Sequence, residues 1–114
     1  MNKTFGQTLR DIRRSKNISQ RELAKKVSVD FSYISKLENE RIPPPAADTI
    51  VKICDVLEIP PDELLALTGK MPSDVKEIFS ANPSAMQFLR TAKTLKLTED
   101  EWGKLTKQIM RLRG

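Results

Sequence analysis

The sequence predicts an all-α protein of eight helices, on three kinds of observation. Apolar residues recur at spacings of three and four along most of the chain, which is the period of a helix with one buried face. Residues that favour helix N-termini precede these segments, and prolines or glycines separate them. The helices form two groups, five in residues 1–69 and three in residues 70–114, on either side of a short hinge from Gly69 to Pro72.

The first helix is predicted to begin after Thr4, a good N-cap, and to end near Asn17, which tolerates a left-handed turn. Its apolar residues are spaced for burial, and they are Phe5, Leu9 and Ile12.

Helices four and five follow an extended connector that prolines impose between residues 41 and 45. The fourth is predicted from about Ala46 to Leu57, with an inner face of Ile50, Ile53, Cys54 and Leu57. The fifth begins at Pro60-Pro61-Asp62-Glu63 and ends at Gly69. Three of its residues are expected to close the core, namely Leu64, Leu65 and Leu67.

Residues 19–41 are predicted to form two short helices joined by a tight turn. Ser19 is expected to cap the first of them, with Glu22 completing a capping box, and Asp30 to cap the second. The second helix carries Ser32 and Lys36 one turn apart on its outer side. A small donor and acceptor beside a long cation suits base edges in the major groove of DNA, which is wide enough to admit a helix. Tyr33 is expected to reach a phosphate or a thymine methyl group.

This segment resembles the helix-turn-helix of lambdoid phage repressors and Xre-type regulators, and the likeness extends from about Phe5 to Leu67. It rests on Ser19-Gln20, Leu23-Ala24, Val27, Tyr33-Ile34-Ser35, Leu37-Glu38-Asn39 and the pair of prolines that follows. The resemblance implies a five-helix lambda-repressor-like DNA-binding domain in residues 1–69. It also implies that Arg13 and Glu38 form a largely buried salt bridge.

The predicted DNA contacts combine the residues that the resemblance gives, Phe31, Ser32, Lys36, Gln20 and Asn39, with the nearby Tyr33 and Arg41. Base contacts are predicted for Phe31, Ser32, Tyr33 and Lys36, and phosphate contacts for Gln20, Asn39 and Arg41. Phe31 stands where the family often has a polar residue, so it either contacts apolar groups of DNA or is simply packed. Ser28 and Glu40 stand where glycine is usual, in turns that favour a positive φ.

Charge along the chain agrees with a polyanionic partner. Residues 1–41 hold ten lysines and arginines and five acids, residues 42–69 hold one and five, and residues 70–114 hold nine and five. The basic first part would attract DNA and the acidic middle would repel it. In the last part, the basic residues are better explained as solvated helix faces.

Residues 70–114 are predicted to dimerise. The sixth helix is entered through Pro72-Ser73, the seventh opens at Asn82-Pro83, and the eighth opens at a Thr98 to Glu101 capping box. Three short helices make too small a core, so they need a further surface to cover their apolar residues. The stripe of the last helix, a predicted homodimer interface, is Trp102, Leu105, Ile109 and Leu112. Packing within one chain, with no oligomeric role, is the alternative.

The predicted function is that of a sequence-specific transcriptional regulator, a dimeric repressor of a palindromic operator on double-stranded DNA. The alternative is an antitoxin-like or peptidase-partner interaction module, with a regulatory protein or peptidase as partner. An enzyme is not expected, because the chain has no histidine and one cysteine, and it lacks catalytic and metal-ligand patterns. No cofactor or metal is expected. The absence of a membrane span, of a signal peptide and of a second cysteine leads us to expect a cytoplasmic protein.

Overall fold

The computed structural model describes residues 3–114, and every regular element in that range is an α-helix. The helices are α1 Phe5–Ser15, α2 Gln20–Val27, α3 Phe31–Glu38, α4 Ala47–Leu57, α5 Asp62–Thr68, α6 Ser73–Ala81, α7 Pro83–Leu95 and α8 Glu99–Arg111. The predicted all-α class is confirmed. The first two residues of the predicted first domain lie outside the described residues.

The chain divides into two compact units, Met1–Val75 and Lys76–Gly114. Residues just after Gly69 belong to the first unit because they bond to it. The Lys70 ammonium donates to the carbonyl oxygens of Pro44 and Pro45, both at 2.9 Å. The Ser73 hydroxyl and backbone N–H donate to the carboxylate of Asp48, at 2.7 and 3.0 Å. The assignment of residues 1–69 to DNA binding and 70–114 to dimerisation stays a prediction.

The core of the first unit is built from the inward faces of α1 to α5. Leu64 and Leu65 of α5 are buried as predicted, but Leu67 is 44% exposed. The prediction for Leu67 is wrong because a residue two positions after Leu65 lies about 200° around the helix from it. The buried apolar residues of this unit are Phe5, Leu9, Leu23, Ala24, Val27, Ile34, Leu37, Ala47, Ile50, Ile53, Cys54, Leu57, Leu64 and Leu65.

The predicted helix starts are correct, although two of the predicted caps differ in detail. Ser19 accepts from the Glu22 backbone N–H at 3.0 Å, but the Glu22 carboxylate lies 3.4 Å from the Lys26 ammonium, so the capping box is only half formed. Asp30 occupies the N-cap position of α3 without a side-chain cap bond. Its carboxylate instead accepts from the Ser32 hydroxyl at 3.0 Å. The predicted position of the cap is therefore confirmed, whereas the side-chain bond that a capping aspartate usually makes is absent.

Two turns next to α3 hold non-glycine residues in the left-handed region. Ser28 has φ 66° at the end of α2, and Glu40 has φ 59° just after α3. The geometry expected for these two turns is confirmed. Because a side chain crowds the backbone there, each turn costs on the order of 1 kcal/mol relative to glycine.

Gly6 allows α1 to pack directly on the end of α3. A Cβ atom at Gly6 would lie 2.6 Å from the Leu37 carbonyl oxygen and 2.7 Å from that of Glu38. Both atoms are backbone and cannot rotate away. This contact sets the distance between α1 and the C-terminal end of α3, and therefore helps to orient α3.

The second unit has little buried surface of its own. Thr98 and Glu101 form the predicted capping box of α8, and the rings of Phe88 and Trp102 meet edge to face with centroids 6.4 Å apart. Ala92 is its one buried residue. In the described range, no helix combines the length and apolar character needed to cross a membrane.

Candidate nucleic-acid interface

The helices α2 and α3 pack as a pair through small and branched apolar residues. Ala24 of α2 is 2% exposed, and Ile34 of α3 is fully buried. The left-handed residue Ser28 reverses the chain, and the Val29 backbone N–H donates to the Ala24 carbonyl at 2.9 Å. This arrangement turns the opposite side of α3 to the surface.

A buried carboxylate fixes the C-terminal end of α3. The Glu38 side chain is fully buried, and its Oε2 accepts from Arg13 Nε at 2.6 Å while Oε1 accepts from Arg13 Nη2 at 3.0 Å. Gln20 Nε2 also donates to Oε1, at 3.0 Å. The predicted Arg13–Glu38 salt bridge is confirmed, and it ties α1 and the start of α2 to α3.

The surroundings of Glu38 keep it ionised. Burial alone would raise the pKa of this carboxyl, but hydrogen bonds from Arg13 and Gln20 outweigh burial and hold the pKa below its usual value. Arg13 has a further bond, from Nη1 to the Ile18 carbonyl oxygen at 2.8 Å. The charges are therefore paired inside the unit, and α3 is held in one orientation.

The predicted base-contact residues lie together on α3 but differ in exposure. Phe31 and Lys36 are exposed, whereas Ser32 and Tyr33 are half-buried. Tyr33 packs against the core, and burial raises the pKa of its hydroxyl. The Ser32 hydroxyl donates to Asp30, so its oxygen is left with lone pairs that can accept a hydrogen bond. Contact of these four residues with bases stays a prediction.

The three predicted phosphate contacts flank α3. Gln20, half-buried, uses one amide hydrogen on Glu38 and retains a second. Asn39 is exposed and held at both ends of its amide, since Oδ1 accepts from Arg10 Nη2 at 2.7 Å and Nδ2 donates to the Ser35 carbonyl at 2.9 Å. Arg41 is exposed in the loop after α3. Phosphate contact by these residues stays a prediction.

The sequence interpretation missed two arginines at this surface. Arg10 donates to Asn39 and, at 3.4 Å, to the Glu38 carbonyl oxygen, and its Nε lies 3.6 Å from the Glu38 carboxylate. Arg21 places its guanidinium carbon 4.7 Å from the centre of the Phe31 ring. The one available signal for Arg10 was its position one turn before Arg13 on α1.

The four residues of the predicted dimer stripe in the second unit differ in exposure. Trp102 and Leu105 are half-buried, whereas Ile109 is 64% and Leu112 80% exposed. Leu112 lies just beyond the last residue of α8, as its C-cap. A groove of about 310 Å³ lies beside the stripe, lined by apolar and polar residues of α7 and α8 that include Phe88, Leu95 and Leu105.

Cys54, the only cysteine of the chain, is buried in the core of the first unit. Burial raises the pKa of the Cys54 thiol to about 11, so the thiol is protonated and inert at neutral pH. Across residues 3–114, no three His, Cys, Asp or Glu side chains are placed to hold a metal ion together. Cys54 therefore serves as a small core residue.

Comparison with known proteins identifies the family. The HTH_3 helix-turn-helix model matches residues 9–64. An uncharacterized HTH-type transcriptional regulator, RghRB of Bacillus subtilis (strain 168), is 32% identical over 93 residues, which cover 79% of this chain and 67% of that protein. The chain belongs to the Xre-type helix-turn-helix family of transcriptional regulators. As a member of this family it is a DNA-binding regulator and not an enzyme, which confirms the family and the functional class predicted from the sequence.

Solved structures similar to this regulator include two that contain SinR. The biofilm regulator SinR in complex with DNA is 32% identical, with a TM-score of 0.52 over 54% of this chain and 98% of that one. A complex of the SinR and SinI proteins has a TM-score of 0.54 over 95% of this chain and 97% of that one. At 24% identity, the second similarity concerns the fold alone.

Proposed function

We propose that the regulator is a homodimeric repressor that binds a roughly palindromic operator in the cytoplasm, with α3 in the major groove. The observation that carries the proposal is the two-sided character of α3. Its inner side is fixed by the buried Glu38 carboxylate, while Lys36 is exposed and the Ser32 oxygen retains free lone pairs. The similarity to a relative whose structure is a complex with DNA supports DNA as the binding partner.

The hydrogen-bonding state of each residue suggests what it reads. Because the Ser32 hydroxyl donates to Asp30, Ser32 is suited to accept from an amino group, such as adenine N6 or cytosine N4. Lys36 is a donor with three hydrogens, and suits the O6 and N7 acceptors of guanine. Gln20, Asn39 and Arg41 would bind phosphates on either side, positioning α3 without reading sequence.

Dimerisation is assigned to the second unit. Its exposed apolar residues include Ile109, Met110 and Leu112, which are 64%, 75% and 80% exposed. A two-fold interface would bury each of them twice, once in each protomer. Two heads held about 34 Å apart would read half-sites one DNA turn apart and double the phosphate contacts.

Selection of bound sequences from random DNA tests the DNA-binding part. The purified full-length protein should enrich a motif with two inverted half-sites. On that motif, Ser32→Ala and Lys36→Ala should each lower discrimination against random DNA by about 1–3 kcal/mol. Gln20→Ala and Asn39→Ala should weaken binding to both DNAs alike. Equal losses on both DNAs for all four variants would contradict the assignment.

Sedimentation tests the dimer. The pair Ile109→Asp and Leu112→Asp should dissociate the protein without unfolding a protomer, because both side chains are mostly exposed within it. Lys107→Asp, an exposed change on the same helix, is the control. Emission from Trp102, the only tryptophan, should shift to longer wavelength on dilution. A monomer at operator-saturating concentration would contradict the dimer and favour a regulatory protein or peptidase as the partner of this surface.

A further inference from the structure

Phe31 is an exposed aromatic residue at the start of the reading helix. It is the first residue of α3 and is 39% exposed. It belongs neither to the buried core nor to the partly buried apolar side chains that pack against the core. Phe31 is therefore not part of the core, and the neighbour recorded over its ring is Arg21.

Arg21 holds the Phe31 ring from the neighbouring helix. Its guanidinium carbon lies 4.7 Å from the ring centre, within the range of a cation–π interaction. Within residues 3–114, no carboxylate lies close enough to Arg21 to form an ion pair. The guanidinium carries five N–H donors, and its contact with one ring leaves donors available for a further partner.

We infer that Phe31 and Arg21 form one reading unit that selects a thymine in each half-site. The inference rests on the proposed placement of α3 in the major groove. There, Phe31 packs against the C5-methyl group of the thymine, while the N–H edge of Arg21 binds a neighbouring phosphate. Arg21 acts as a positioning residue, because it limits the rotation of the exposed ring and leaves the rest of the ring free to touch the base.

Thymine is the base that the chemistry selects. A phenyl ring has no hydrogen-bonding group, so it cannot read the donors and acceptors of the groove. The C5-methyl group of thymine is the apolar feature that an unmodified base pair presents in the major groove. Burying one methyl group is expected to change affinity about fourfold, from the usual transfer free energy of one carbon.

The test compares thymine with deoxyuridine, which differs by that methyl group alone. The probe is the duplex enriched from random DNA, with each thymine of one half-site replaced singly by deoxyuridine. At one position, wild-type protein should lose affinity about fourfold. Phe31→Ala should bind the thymine and deoxyuridine duplexes equally. Arg21→Gln should weaken binding to both duplexes and also reduce the ratio of thymine to deoxyuridine affinity. Arg21→Lys should restore the affinity for both duplexes more fully than it restores that ratio.

Controls separate this inference from the proposed function. Lys26→Gln removes a cation from the same helix away from the ring, where the lysine pairs with Glu22, and should leave the ratio at its wild-type value. A protein that prefers its selected duplex over random DNA but is insensitive to every deoxyuridine replacement would overturn the inference alone. Unchanged deoxyuridine sensitivity in Phe31→Ala would also overturn it. Failure to enrich any sequence would overturn both.

Discussion

Removal of the Glu38 carboxylate by Glu38→Ala is expected to lower the free energy of unfolding of the first unit by about 3–5 kcal/mol. The side chain is fully buried and accepts two bonds from Arg13 and one from Gln20, at 2.6 to 3.0 Å. Each hydrogen bond to a charged group contributes about 1.5–3 kcal/mol, although bonds to one carboxylate do not add fully. The variant would also leave the guanidinium of Arg13, whose side chain is 9% exposed, without its counter-charge.

Hydrogen exchange of the slowest amides in α3, measured in the full chain, gives the free energy of opening of the first unit. The matched control is Glu22→Ala, which removes an exposed carboxylate 3.4 Å from Lys26. That change should cost about 0.5 kcal/mol, as expected for surface pairs one turn apart.

A double replacement distinguishes the loss of one charge, which leaves its partner buried and unpaired, from the loss of the ion pair itself. Arg13→Met combined with Glu38→Leu removes both charges and fills similar volume, so it should cost much less than either single truncation. A Glu38→Ala variant no less stable than Glu22→Ala would refute the reasoning. So would single and double changes that simply add, because two residues in direct contact should be coupled.

Three further predictions concern stability. Gly6→Ala should cost about 1–3 kcal/mol in urea unfolding, because the new methyl group would overlap the Leu37 carbonyl oxygen. Ser28→Gly should stabilise the first unit by about 1 kcal/mol, because glycine adopts φ 66° without strain. The lowered pKa of Glu38 gives stability that is complete above its unfolded pKa of about 4.3 and is lost as the pH falls through the lower folded pKa. Melting temperatures should therefore decline more steeply with acid in wild-type than in Glu38→Gln protein.

The predictions for Gly6 and Ser28 each have a matched control. Gly103→Ala, where the new methyl group would meet nothing within 4 Å beyond its chain neighbours and the backbone of its own helix, should be neutral or stabilising. Ser80→Gly, inside α6, should destabilise where Ser28→Gly stabilises. The reasoning fails if Gly6→Ala matches Gly103→Ala, if both serine changes have the same sign, or if Glu38→Gln keeps the wild-type acid dependence.

The helices were predictable from sequence because the signals that begin and end them are local. Thr4 and Thr98 cap the helices that follow them, and Gly69 ends α5 with φ 65°. Where two local interactions compete, the hydrogen bond at the cap differs from the expected one. Asp30 was expected to cap α3, but its carboxylate instead accepts from the Ser32 hydroxyl two residues later. The residue type at a cap position therefore predicts where a helix begins. It predicts less securely which hydrogen bond the capping side chain forms.

Contacts between helices could not be predicted from the sequence, except where the family resemblance supplied them. Arg13 and Glu38 were paired by that pattern, and the structure confirms the pair. Arg10 bonds to Asn39, 29 residues away, and Arg21 stacks on Phe31 of the next helix. Apart from the position of Arg10 one turn before Arg13, neither arginine shows a sequence signal that distinguishes these partners from solvent. The role of Gly6 depends in the same way on backbone atoms of a helix distant in sequence.

Because the Glu38 carboxylate is buried, the interaction that orients α3 and the contacts that would bind DNA should respond differently to salt. Mobile ions screen interactions between exposed charges and hardly reach a pair with side chains 9% and 0% exposed. Phosphate contacts, by contrast, displace counterions and weaken steeply as salt is added. A rise in ionic strength would therefore release the protein from DNA while α3 kept its orientation. The protein would leave one site ready to engage the next, with no refolding step between the two encounters.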